Sequence, residues 1–407
     1  MPASENPVET PAGPSLRLRA CPACGAEGMR IFHTVRDVPV HSVLLMETRE
    51  QALSYPRGDI ALGLCPACGF IANCAFDPAR HEYSRKYEET QGFSSTFNAF
   101  HRQLALSLIE RYGLRGKDII EIGCGKGEFL NLLCELGGNR GTGFDPAYVP
   151  ERDRGAVMGR TQFIVDFYSE KYTHHKADFV CCKMTLEHIQ DVGEFVRMVR
   201  RSIGPRHQTV VFFQIPDAMR VLRDLGFWDI YYEHCSYFSH GSLGRLFRRC
   251  GFDVLRLATE YDGQYLMVEA RPSAAAPTPP IPAENDLEEI RAAVDRFSAE
   301  IKPSLRRWKE TLAELRLRNR KAVLWGGGSK GVAFLTTLGI REEIEYAVDI
   351  NPYKDGTFMA GTGQQIVRPE FLKSYRPDAV IVMNPIYCEE IRKDLDRLGV
   401  TAELLPV

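Results

Sequence analysis

Glu121-Ile122-Gly123-Cys124-Gly125-Lys126-Gly127 closes a short apolar run over residues 117–122 and opens a segment, 128–136, with helical spacing. Strand, glycine loop, helix is an order that brings backbone close to a ligand. Alternating glycines lack the Cβ that would hold a ligand off, and the helix start offers free N–H groups. Alone, such a loop is a weak signal, because a tight turn can look the same. Its surroundings strengthen it. Residues 141–144, 163–165, 178–182 and 209–214 read as strands; 100–112 and 194–202 read as helices. That alternation predicts an α/β domain built on a parallel, doubly wound sheet.

Beyond this unit the composition shifts. Residues 271–283, RPSAAAPTPPIPA, read as a linker. Leu287, Ile290, Val294, Phe297, Ile301, Leu305, Trp308, Leu312 and Leu315 then keep alternating spacings of three and four, a helical stripe. Pro303 interrupts it and is expected to kink or split the helix into a pair packed on the body of the protein. A second α/β unit follows, with strands at 321–325, 345–348 and 378–383 and a helix over 332–338. Its loop, Gly326 to Gly331, fits GxGxxG, and Asp349 ends the next strand. Taken alone this reads as a dinucleotide site. Lys330 inside the loop points instead to the anion of a nucleotide-type substrate, with Gly328 beside it. The plain alternative is a tight turn that binds nothing.

At the other end, residues 1–15 are polar and Pro-rich and read as a disordered tail, without the basic start and apolar core of a secretion signal. No apolar run is long enough to span a membrane, and the formal charge of −2 gives no argument for a nucleic-acid or membrane partner. A cytoplasmic location is expected. Four of the twelve cysteines form two near-identical pentapeptides, Cys21-Pro-Ala-Cys24-Gly25 and Cys65-Pro-Ala-Cys68-Gly69. Each knuckle turns two thiolates toward one point, and four sulfurs suit tetrahedral zinc with no open position, a structural role. The expected organisation is a zinc-binding domain over 16–85, the central α/β domain over 86–270, the linker, and the stripe with its Rossmann-like domain over 284–407.

Three further features follow the first glycine loop in order. Asp145 ends the second strand, where a carboxylate can accept ribose hydroxyls. Asp166-Phe167 ends the third. Lys183-Met184-Thr185-Leu186-Glu187-His188 follows the fourth. Together they resemble the motifs of class I S-adenosylmethionine methyltransferases. The resemblance implies that Glu121, Gly123, Gly125, Gly127, Asp145, Asp166, Phe167 and Lys183 hold that cofactor, Asp166 and Phe167 at its adenine.

Tyr231-Tyr232-Glu233-His234-Cys235-Ser236-Tyr237-Phe238-Ser239 gathers acid/base and hydrogen-bonding groups within nine residues. His234 can take a proton near neutral pH, a tyrosine can hydrogen-bond a developing oxyanion, and Glu233 can orient the imidazole or bind a sugar hydroxyl. The order of zinc knuckles, cofactor motifs, this segment and a C-terminal Rossmann-like domain resembles the deoxysugar C-methyltransferases over about residues 20–405. Those enzymes act on nucleotide-linked 4-keto-6-deoxysugars. The resemblance implies His234 as base, Tyr231 and Glu233 around the sugar with Tyr237 nearby, and Gly328, Lys330 and Asn384 near the nucleotide. Three positions depart from the family pattern. Tyr232 stands where His is common, Asp262-Gly263-Gln264-Tyr265-Leu266 where a Gly-Gly-Ser segment is usual, and no Trp precedes Asn384. All three bear on the sugar more than on methyl transfer. The alternatives are O- or N-methylation of another small molecule and, from another class, a non-catalytic cofactor-binding protein. A monomer or homodimer is expected.

Overall fold

The computed structural model describes residues 16–18, 20–80, 86–152, 159–274 and 278–407. The tail expected over 1–15, residues 81–85 of the cysteine-rich region and residues 275–277 of the linker lie outside the described residues.

The central sheet has seven strands in the spatial order Phe252–Glu260, Tyr265–Pro272, Val210–Pro216, Phe179–Lys183, Asp118–Ile122, Arg140–Phe144 and Thr161–Ile164. The last five are mutually parallel. The expectation of a parallel sheet needs one correction: Phe252–Glu260 and Tyr265–Pro272 form a hairpin, and the second of them runs antiparallel to Val210–Pro216. Only residues 261–264 join the two, too short a link for the crossover that parallel neighbours require. Strand order reverses on either side of Asp118–Ile122. A crevice therefore opens beyond its C-terminal end, where the glycine loop begins.

The C-terminal sheet is wholly parallel, in the order Gln365–Val367, Tyr346–Val348, Ala322–Trp325, Ala379–Val382, Glu403–Pro406. It repeats the same plan, with its glycine loop leaving Ala322–Trp325. Pro303 neither splits the preceding helix nor pairs its halves: Leu287–Leu317 is one helix of 31 residues. Ile290, Val294, Phe297, Ile301, Leu312 and Leu315 are buried along it on both sides of the proline. Each contributes about 1.5–3 kcal/mol on burial, which outweighs the cost of about 3 kcal/mol for one internal proline.

The cysteine-rich region forms a third, antiparallel sheet from Arg30–Pro39, Arg57–Leu64 and Ile71–Asn73, completed by Ser236–Tyr237. Two residues of the segment 231–239 are thus a strand of the N-terminal sheet, with Tyr237 opposite Ile71 and Ser236 opposite Ala72. One apolar core, including Val40, Ile60, Leu62, Ile290, Phe297 and Phe334, joins this sheet to the long helix and the C-terminal unit.

Candidate active site

One cavity of about 470 Å³ touches both glycine loops. On the central side, Gly123 and Gly125 line it, both at positive φ (69° and 55°). A Cβ on Gly123 would stand 2.0 Å from the Thr185 hydroxyl, and one on Gly125 would stand 2.8 Å from a Glu89 carboxylate oxygen. The bare backbone is therefore required for the cradle to exist. Gly127 has a different reason to be glycine. It does not line the cavity, and a Cβ there would meet the Phe163 ring at 2.6 Å.

The cradle is acidic. Asp145 accepts the N–H of Gly125 at 2.8 Å and that of Ala147 at 2.7 Å, and burial raises its carboxyl above the ordinary range. Glu121 is buried, with Oε2 lacking a hydrogen-bond partner, and burial pushes it up to about 8. Glu89 is pushed up to about 7 by the same cause. Two buried lysines face them. Lys126 donates to the carbonyls of Tyr87 and Ala147, both at 3.0 Å. Lys183 lies 2.8 Å from His101 Nε2 and 3.8 Å over the Phe129 ring, and burial brings it down to about 8. Asp166 and Phe167 line the far end. Asp166 pairs with Lys171 and accepts the Tyr172 hydroxyl at 2.6 Å, while the Phe167 ring is 59% exposed.

Tyr231 and His234 line the middle of the cavity, their rings 4.1 Å apart. Burial, followed by His188 and Lys330, holds His234 well below the ordinary histidine value, so its ring is neutral at pH 7. Burial raises the Tyr231 hydroxyl and keeps it protonated. Two neighbours depart from expectation. Glu233 neither lines the cavity nor orients His234. Its carboxylate turns the other way, onto His41 Nδ1 at 3.0 Å and onto the backbone N–H (3.2 Å) and hydroxyl of Ser42. Although burial pushes it up, His41 holds Glu233 below the ordinary range overall. The Ser329 hydroxyl lies 2.8 Å from Ser42 Oγ and can donate to it, so Glu233 braces the segment against the C-terminal loop. Tyr237 also stays out of the cavity. Strand pairing with Ile71 places it behind His234, its hydroxyl buried without a partner.

The carboxylate that does approach His234 is Glu187, at 4.0 Å from Nε2. Its position in the Leu186-Glu187-His188 segment was legible; its closeness to residue 234 was not, because 46 intervening residues must fold to create it. Glu89 carried no sequence signal at all.

On the C-terminal side the lining mixes charges: the ammonium groups of Lys330 and Lys354 stand among the carboxylates of Asp349, Glu390 and Asp394. Lys330 pairs with Asp229 at 2.6 Å, and Gly328 and Asn384 border the same space. Asp349 accepts the Gly327 N–H at 3.0 Å and the Lys354 ammonium at 3.1 Å. The Asn384 amide donates to Gln264 Oε1 at 2.9 Å, tying this unit to the hairpin turn.

The two cysteine knuckles meet. Cys21 and Cys68 Sγ lie 3.7 Å apart, Cys24 and Cys65 Sγ 3.6 Å apart, and all four fall within 4.8 Å. Sulfurs 2.3 Å from a tetrahedral zinc would be separated by about 3.8 Å. The set fits that ion in donor chemistry and spacing.

Sheet order with its antiparallel edge hairpin, the glycine cradle and a match to a methyltransferase-domain family over residues 97–257 define a class I S-adenosylmethionine-dependent methyltransferase. A second family, described as the C-methyltransferase C-terminal domain, matches residues 283–401. The C-methyltransferase NovU of Streptomyces niveus is 30% identical over 315 residues, 71% of this chain and 72% of NovU. The chain belongs to the C-methyltransferase family. A ubiquinone biosynthesis O-methyltransferase of Pseudomonas aeruginosa (strain UCBPP-PA14) is 29% identical over 106 residues, 24% of this chain and 45% of that protein. Among solved structures, the magnesium protoporphyrin IX methyltransferase ChlM of Synechocystis PCC 6803 covers 44% of this chain and 84% of its own at 16% identity. Its TM-score of 0.35 is too low to carry weight. No helix among the described residues is long and apolar enough to cross a membrane.

Proposed function

We propose that this enzyme methylates a ring carbon of a nucleotide-linked 4-keto-deoxysugar, with His234 as the base. The observation that carries the reading is the shared cavity: a carboxyl-rich glycine cradle at one end, a glycine loop bearing Lys330 at the other, and a neutral, buried imidazole between them.

S-adenosylmethionine, when bound, supplies an electrophilic methyl group. Gly123 and Gly125 would admit it against bare backbone; the buried carboxyls of Glu121, Glu89 and Asp145 suit its ribose, and a cation beside them favours their ionised form. Lys183, Asp166 and Phe167 complete that end. A ketone acidifies the adjacent C–H bond. His234 takes that proton, and the bond's electron pair moves onto the carbonyl oxygen to give an enolate. The Tyr231 hydroxyl, kept protonated by burial, can donate to that oxygen. Lys330, with Gly328 and Asn384, would hold the nucleotide end, where a diphosphate meets an ammonium. Glu233 and Tyr237 act from behind the cavity wall, as supports. The kinship with NovU and the C-terminal family match favour carbon as the acceptor over the O-methyl reading, whose relatives align over 24% to 40% of the chain.

Zinc on Cys21, Cys24, Cys65 and Cys68 would staple the N-terminal sheet. Ser236–Tyr237 belongs to that sheet, so the metal would hold the base in place without touching substrate. The test of the reaction uses S-adenosylmethionine carrying a ¹³C-methyl group and a nucleoside-diphosphate 4-keto-6-deoxyhexose. A carbon–carbon coupling from the labelled methyl to the ring is expected. A methyl attached to oxygen or nitrogen overturns the assignment.

A further inference from the structure

We propose that Glu187 and His234 form a catalytic dyad, in which Glu187 accepts the Nε2–H of His234 and thereby leaves Nδ1 as the ring's proton acceptor. This deepens the base assignment above and rests on it.

The geometry comes first. Glu187 is 1% exposed, and neither of its carboxylate oxygens has a hydrogen-bond partner. A buried carboxyl without a partner is costly and needs a reason. His234 Nε2 lies 4.0 Å from Glu187 Oε1, His188 belongs to the same cluster, and all three residues border the cavity. That gap is about 1 Å longer than a hydrogen bond, a slack common in ligand-free sites that close on substrate. The carboxylate expected to do this job, Glu233, is fully engaged by His41 and Ser42. Glu187 is thus the acid residue available to fix the imidazole.

The surroundings explain why a partner is needed. The groups facing the His234 ring are Glu187 and His188 from the loop after Phe179–Lys183, Tyr231 and Tyr237 from its own segment, and Lys330 from the C-terminal loop, itself paired with Asp229. Burial, His188 and Lys330 all disfavour an imidazolium. A base so placed is neutral and ready, but the cation it becomes has no support unless a carboxylate stands by. Burial also pushes the Glu187 carboxyl up to about 8; the dyad works from its ionised form, which the Nε2–H contact and then the positive ring beside it favour.

The step balances. The substrate C–H bond breaks, its proton forms an N–H bond at Nδ1, and its electron pair passes to the carbonyl oxygen as the enolate. Nε2 keeps its own proton, shared with Glu187, and the imidazolium–carboxylate pair holds the charge. The enolate is consumed by the methyl transfer already assigned to the enzyme.

The experiment follows exchange of the ring C–H for deuterium in D2O, by NMR, with full-length enzyme, a nucleoside-diphosphate 4-keto-6-deoxyhexose and S-adenosylhomocysteine. Glu187→Gln is expected to slow exchange about 100-fold and to move the acid limb of kcat/KM to lower pH, since the imidazolium loses its stabilising charge. Glu187→Asp should recover part of both, with melting temperature and S-adenosylhomocysteine affinity near wild type. Wild-type exchange with an unmoved limb in Glu187→Gln, while His234→Ala is inert, overturns the dyad and leaves the base reading standing. Slowed exchange with an unmoved limb and no recovery in Glu187→Asp also overturns it, as a packing effect. Unchanged exchange in His234→Ala overturns the base reading and the dyad together.

Discussion

The central and C-terminal glycine loops share a plan and differ in the side chains they carry to the cavity. Each leaves the strand at which its sheet reverses order, each precedes a helix, and in each an aspartate at the end of the next strand accepts a loop N–H: Asp145 from Gly125, Asp349 from Gly327. At the central loop the carboxylates outnumber their counter-charges near the cavity, and Glu121 Oε2 is left without a hydrogen bond. At the C-terminal loop each ammonium already has a carboxylate partner, Lys354 on Asp349 and Lys330 on Asp229, and Lys330 borders the cavity. The same backbone therefore presents different groups to one space: buried carboxyls beside Gly125 and a lysine beside Gly328. An acidic cradle suits a cationic cofactor, and an ammonium-bearing loop suits a phosphorylated substrate. Fold repetition alone says nothing about ligand identity; the side chains placed on it do.

The comparison makes graded predictions. The largest effect belongs to the residue between the loops. His234→Ala should lower kcat by about 1000-fold or more while leaving both ligands bound, as read by calorimetry. In the wild type, burial lowers the histidine value, so the neutral, active form persists as pH falls. The acid limb of kcat/KM should lie below pH 6.5, and a limb above it would contradict a buried neutral base.

Next comes the staple. Chelation, or Cys65→Ser, should lower the melting temperature by several degrees and reduce kcat through loss of order at Ser236–Tyr237, with one zinc per chain by metal analysis of the untreated enzyme. An unchanged melting temperature after complete chelation would remove zinc from the account.

A smaller contrast separates the two aspartates. Asp349→Asn strands the buried Lys354 ammonium and should cost about 3 kcal/mol of stability. Asp145→Asn strands no such partner, since Lys126 donates to two carbonyls. It should weaken cofactor binding while barely moving the melting temperature. Equal stability losses would erase the distinction between an engaged and an available carboxylate.

Much of this was legible from residue order, and the failures have physical causes. Strands and helices near the glycine loops follow from local periodicity, and the cysteine knuckles announce their own meeting. The edge hairpin was missed because Phe252–Glu260 and Tyr265–Pro272 were read as no strand at all; residues 261–264 hold the turn, with Tyr261 and Asp262 at positive φ. Pro303 misled because a local cost was weighed without the burial on both flanks. Glu233 is next to His234 in sequence, yet the chain turns there, with the His234 N–H on the Tyr231 carbonyl, and the Glu233 carboxylate goes to His41 and Ser42 instead. Glu187 and Glu89 come near the site only through long-range packing, which no local pattern encodes.

The central claim, two glycine loops serving two ligands in one cavity, is tested most directly by crossed calorimetric titrations. Gly125→Val places a side chain beside Glu89 within the cradle; Lys330→Ala removes the C-terminal ammonium. Each variant is titrated with S-adenosylhomocysteine and with a nucleoside-diphosphate sugar. Gly125→Val should weaken the first by about 100-fold and spare the second. Lys330→Ala should weaken the second by about 10-fold or more and spare the first. Loss of S-adenosylhomocysteine binding in Lys330→Ala, or nucleotide-sugar binding untouched by it, would contradict the account.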